Sequence, residues 1–164
     1  MSVVEGLRDE GKLEVQTKAY DFASYTHKIC SNQKVFFKRY RWCSTSKIID
    51  AVDDICVYID LANQVNIRKD LKPENLKKNK ELRKQYQTKA IEVSIRLETL
   101  MEIAYRNNRV KSESNPTTNE ISQSEQEKED SSEVGISKDK FYYWVGLLLE
   151  VRSLIRKWRD SEQG

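Results

Sequence analysis

Apolar residues recur at steps of three and four along four stretches of the chain, the period of a helix that buries one face. The first stretch, Lys12 to Cys30, repeats Val15, Ala19, Phe22, Ala23, Thr26 and Ile29. The charged residues and Gly11 before it read as a frayed N-terminus over residues 1–11. The second stretch follows Ser44 and Thr45, either of which can cap it, and carries Ile48, Ile49, Val52, Ile55, Cys56, Ile59 and Ala62 to about Asn63. Asp50, Asp53, Asp54 and Asp60 lie off that stripe. The third runs from about Glu74 to Arg106 on a ladder of Leu82, Tyr86, Ala90, Val93, Leu97, Leu100 and Ala104, with Pro73 where a first turn accepts proline. The fourth begins near Lys138 and repeats Phe141, Trp144, Leu148, Val151, Ile155 and Trp158, widened by Leu147 and Leu154.

The pattern vanishes over residues 107–137. Rich in Ser, Glu, Asn and Gln and without aromatics, that segment cannot bury enough apolar surface to offset ordering, which predicts an acidic, disordered linker. The expected fold is therefore all-α: an antiparallel up-and-down four-helix bundle, with residues 12–106 supplying three helices and 138–160 the fourth. At 164 residues the chain suits one domain. Five Gly and two Pro are too few for the turns of an all-β fold.

Candidate chemistry is thin. Cys30, Cys43 and Cys56 are odd in number and widely spaced, which argues against a disulfide framework or a zinc knuckle and suits a reducing cytosol. No stretch approaches an uninterrupted membrane span or a signal peptide, so a cytoplasmic protein with no membrane partner is expected. His27 is the only histidine, so Glu-x-x-His pairs for a di-iron bundle cannot be assembled. Asp50, Asp53 and Asp54 could hold a divalent ion, but a second carboxylate cluster is missing; they read instead as a solvated face or as partners for the arginines of the fourth helix. There is no Gly-rich phosphate loop and no Gly-x-Ser-x-Gly. No catalytic residue, metal site or cofactor is assigned.

Charge carries more information. Residues 111–135 hold two lysines against seven carboxylates, a net of −5, which leaves +8 for the rest of a chain whose total is +3. A basic helical body attracts nucleic acid, anionic lipid or an acidic protein surface. Three patches stand out: Lys34 to Arg41, Arg68 to Lys89, and Arg152 to Arg159, the last with Arg152, Arg156 and Arg159 aligned on one helix face. In the first patch cations interleave with Phe36, Phe37, Tyr40 and Trp42, which suits an anionic partner or a packed corner. These rings are expected to act as a hydrophobic staple over the bundle end rather than as a base-stacking platform. The outer sides of Trp144 and of Tyr142 or Tyr143 are expected to leave an apolar seam for neighbours.

Several motifs together resemble a family. Tyr20-Asp21-Phe22-Ala23 lies on the first helix, Arg39-Tyr40-Arg41 precedes the second, Ala62-Asn63 closes it, and Leu148-Leu149-Glu150-Val151-Arg152 with Ile155 and Trp158 marks the fourth. In order and spacing, over about residues 12–106 and 138–160, they resemble the accessory variability proteins of diversity-generating retroelements. The opening Lys12 to Asp21 is also similar to that of the ribosomal-RNA intervening-sequence four-helix bundle proteins. The first resemblance implies a non-enzymatic accessory protein that forms a homo-oligomer, a pentamer in that family. It implies binding to a reverse transcriptase and to template RNA or cDNA, in support of mutagenic cDNA synthesis. The acidic segment departs from the compact members of that family. The residues expected to meet nucleic acid or partner are Lys38, Arg39, Arg41, Lys77, Lys78, Lys80, Arg83, Lys84, Arg152, Arg156 and Arg159. The alternative is a structural homo-oligomeric adaptor whose basic faces meet an acidic protein or ribosomal RNA.

Overall fold

The computed structural model describes residues 4–110 and 135–162, with side chains from Glu14 onward, those of Tyr40 and Arg41 excepted. Four helices make up the described chain: α1 (Val4–Ser31), α2 (Ser46–Gln64), α3 (Pro73–Asn108) and α4 (Lys138–Ser161). No strand occurs among the described residues. Each helix packs chiefly on two others, α1 and α3 each lying against both α2 and α4.

The apolar stripes of α1, α2 and α4 meet in one core. Val15, Ala19, Phe22, Ile29 and Cys30 enter it from α1, and Ile48, Val52, Ile55 and Ile59 from α2. From α4 come Phe141, Trp144, Leu148, Val151, Ile155 and Trp158, every position of the expected stripe. Each large apolar side chain removed from water stabilises the fold by about 1.5–3 kcal/mol, which is why these rows decide the packing. Trp144 is wholly buried, donates its indole N–H to Thr26 Oγ1 at 3.0 Å and meets the edge of Phe36, so it contributes nothing to an outer seam. Tyr142 and Tyr143 are the exposed pair.

Helix α3 buries only part of the expected ladder, at Ala90, Leu97 and Ala104. Its inward positions are Arg83, Gln87, Ala90, Ser94, Leu97, Met101, Ala104 and Asn108, joined by Ile91. These follow an alternating four-three step, the seam of a helix gripped by neighbours on both sides. Tyr86, Val93 and Leu100 form a half-buried flanking row, and Leu82 is exposed. The apolar ladder mixed the centre of the seam with its flank because half of the true seam is polar.

The ends of the helices also differ from expectation. Helix α1 begins at Val4 rather than near Lys12, running through Gly6 and Gly11 at a cost of about 1 kcal/mol each relative to alanine. Residues 1–3 lie outside the described residues. Thr45 precedes α2 in helical conformation and makes no side-chain cap; a 3₁₀ turn, Lys38–Tyr40, and a π turn, Arg41–Thr45, lead into the helix instead. Pro73 does open α3, and Ser137 caps α4 by accepting the Lys140 N–H.

Of the linker expected over 107–137, residues 111–134 lie outside the described residues, but both flanks are built. Val110 and Ile136 are buried. Ile136 N–H donates to Asn108 O at 2.8 Å, Val110 N–H to Ile136 O at 3.3 Å, and Gly135 N–H to Lys34 O at 2.8 Å. Gly135 has φ +145°, and a β-carbon there would stand 2.6 Å from Asn108 O, so the joint requires glycine. The two flanks of the acidic segment are thus pinned side by side beside the loop that leaves α1.

Candidate nucleic-acid interface

The geometry divides the eleven expected cations into groups that sequence spacing alone did not separate. Lys77, Lys78 and Lys80 are exposed on the first turns of α3, and Lys84 is half-buried there. With Pro73, Leu76, Glu81 and Glu162, three of them (Lys77, Lys80 and Lys84) line a cleft of about 380 Å³ between the start of α3 and the end of α4. Arg156 is exposed on α4. Arg159 is three-quarters covered, reaching Asp160 Oδ1 at 3.4 Å and Thr88 Oγ1 at 3.5 Å. The Thr88 contact places the end of α4 beside the lysine-rich part of α3, so the second and third basic patches join into one. The first patch stays apart. Lys38 and Arg39 are exposed there, and Arg39 lies over the Phe37 ring at 5.3 Å; the Arg41 side chain lies outside the described residues.

Arg83 and Arg152 are not surface residues, which corrects their assignment to an outward face. Arg152 donates from Nε to Ser94 Oγ at 2.8 Å and from Nη2 to Ser94 O at 2.9 Å and Glu98 Oε2 at 2.6 Å. Arg83 is 1% exposed, with Nε 3.2 Å from Glu162 Oε2 and its guanidinium 5.1 Å from the centre of the Trp158 ring. None of its three side-chain nitrogens has an aligned hydrogen-bond acceptor. Burial pulls this guanidinium below its ordinary value, and the Glu162 charge opposes that pull. Glu162 is itself held by the Trp158 indole N–H at 2.9 Å and the Gln87 amide at 3.3 Å.

Asp53, Asp54 and Asp60 of α2 find partners on α1 and α3 rather than on α4. Asp53 meets His27 at 2.7 Å and Asp54 meets Arg96 at 3.5 Å. Asp60 accepts from Gln16 at 2.8 Å and from Tyr20 Oη at 2.6 Å. The Asp60 hydrogen bond, helped by burial, holds the Tyr20 hydroxyl above its ordinary pKa. Among the described residues no group of three His, Cys, Asp or Glu side chains is placed to hold a metal ion. Burial pushes the Cys30 and Cys56 thiols up to about 12, whereas Cys43 is exposed.

The rings of the first patch depart most from expectation. Phe36 is buried with Val35, but Phe37 is 40% and Trp42 88% exposed. One side of the staple forms and the other stands in water. Charge interleaving pointed to this loop, but no feature of its sequence says which ring turns inward. The partners Glu162, Gln87, Ser94 and Arg96 were missed as well. A strict heptad count on α3 finds Gln87 and Ser94, since both fall on the four-three seam.

In comparison with known proteins, no family model, no curated protein and no solved structure matches the chain.

Proposed function

We propose that this chain is a non-enzymatic RNA-binding bundle of antiparallel, up-and-down topology, whose α3 and α4 are connected through the acidic segment 111–134. Its resemblance implies service as the accessory protein of a diversity-generating retroelement, presenting template RNA to a reverse transcriptase for mutagenic cDNA synthesis. Assembly as a homo-oligomer, a pentamer by resemblance, and a cytoplasmic location belong to the same reading. The helix pairings support the topology: residues 16 and 27 of α1 meet 60 and 53 of α2, 54 of α2 meets 96 of α3, and 88 and 94 of α3 meet 159 and 152 of α4.

The observation that carries the binding role is the division of labour among cations. The carboxylates Asp53, Asp54, Glu98, Glu150 and Glu162 are taken up by His27, Arg96, Arg152, Lys18 and Arg83. Lys77, Lys78, Lys80 and Arg156 face outward, with Lys84 half-buried beside them, and none of these five forms an ion pair with a described residue. The start of α3 thus presents Lys77, Lys78, Lys80 and Lys84 against Glu74 and Glu81, a net positive surface of the kind that attracts a polyanion.

Filter binding of a structured RNA tests this. Retention at about 50 mM salt that falls by orders of magnitude by about 200 mM is expected, because each neutralised phosphate releases counterions. A flat salt dependence, or copurification of an acidic protein resistant to nuclease with no RNA retained, overturns it.

A further inference from the structure

We infer that the end of the bundle carrying Trp42 is a stacking platform for unpaired bases, so that the nucleic acid it takes is single-stranded. This rests on the polyanion reading above and goes beyond it, since lysines alone do not distinguish a strand from a duplex. Trp42 is 88% exposed, whereas Trp144 and Trp158 are 0% and 8% exposed. An indole that a folded core could use is instead held in water by the π turn Arg41–Thr45.

It does not stand alone. Five aromatic rings are notably exposed among the described residues, and four of them, Phe37, Trp42, Tyr142 and Tyr143, belong to this end; Tyr20 is the fifth. The Gly135 to Lys34 hydrogen bond and the contact of Phe36 with Trp144 bring the α1–α2 loop and the start of α4 together there. Cations accompany the rings: Arg39 lies over Phe37 at 5.3 Å and Lys138 over Tyr142 at 5.8 Å, with Lys34 and Lys38 exposed nearby in the chain.

The chemistry of the patch selects the occupant. Here exposed rings carry cations over their faces, Arg39 on Phe37 and Lys138 on Tyr142. Rings for bases and cations for phosphates are the two components of single-strand binding. A duplex keeps its bases stacked inside and offers this end only phosphates. The lysine cleft lies at the far end of α3, roughly 40 Å away along the helix at 1.5 Å per residue from Lys80 to Asn108. Phosphate contacts and base contacts are therefore separable.

The test titrates a 12-nucleotide oligouridylate and a matched RNA duplex into the full chain, its Trp42→Phe and its Trp42→Ala variants, and reads tryptophan emission and affinity together. Because Trp42 is the water-exposed emitter, the single strand is expected to quench the long-wavelength part of the spectrum. Trp42→Ala is expected to weaken single-strand binding roughly 10- to 100-fold, with the thermal midpoint and salt slope unchanged, and Trp42→Phe to keep most of the affinity. Duplex binding is expected to be equal in all three. Salt-sensitive binding of the single strand with no quenching and no loss in Trp42→Ala overturns the stacking platform and leaves the polyanion reading standing. No nucleic-acid binding at all overturns both. A blue shift of Trp42 emission that grows with protein concentration before any RNA is added overturns it too, because a second copy then covers the ring.

Discussion

Two arginines are buried where α3 meets α4, and they are held in opposite ways. Arg152, midway along the contact, has a hydroxyl, a carbonyl and a carboxylate within 2.9 Å. Arg83, toward the lysine end, has a carboxylate at 3.2 Å and an indole ring beneath it, yet none of its nitrogens has an aligned acceptor. Charge is buried at both places, but only the first recovers the hydrogen bonds that water would have supplied. The difference teaches that the middle of the bundle is locked by a satisfied polar network. At the end that presents Lys77, Lys80 and Lys84, Arg83 keeps its counter-charge in Glu162 but not an aligned hydrogen bond.

That contrast can be broken by substitution. Arg152→Met removes three charge-assisted hydrogen bonds, and chemical denaturation should show a loss of about 2–4 kcal/mol. Glu162→Gln leaves Arg83 without its counter-charge and should cost about 1–3 kcal/mol. Arg83→Met trades an unsatisfied guanidinium for a flexible apolar chain and should change stability by less than about 1 kcal/mol in either direction. Adding it to Glu162→Gln should return most of the loss, a coupling that a double-mutant cycle measures. If Arg83→Met costs as much as Arg152→Met, the two sites are not held differently.

The contrast also explains what could be read from the sequence. Helices α1, α2 and α4 bury rows made almost wholly of apolar residues, so the three-and-four repeat found them, and all six positions expected on α4 are buried. On α3 the buried row includes Arg83, Gln87, Ser94 and Asn108, each of which lowers the apolar count of the correct face. A neighbouring register therefore looked better, and Arg83 was placed outside. Arg152 was misplaced for a related reason: it sits between Val151 and Ile155, and only the position of Ser94 across the contact shows that it points inward. Lys77, Lys78 and Lys80 fall off the buried row of α3 and are exposed. The loop at Lys34 to Trp42 was recognised by its alternation of ring and cation, but a π turn has no sequence signature that fixes which ring is left in water.

The central claim is that the lysines at the start of α3 are there for a polyanion. Its most direct test is the salt dependence of RNA binding by the triple variant Lys77→Gln, Lys80→Gln, Lys84→Gln beside the unchanged chain. For a single strand each lost phosphate contact should remove about 0.7 from the slope of log affinity against log salt, so the variant should lose about 2 while its thermal midpoint stays put. An unchanged slope, with RNA still bound, would contradict the account.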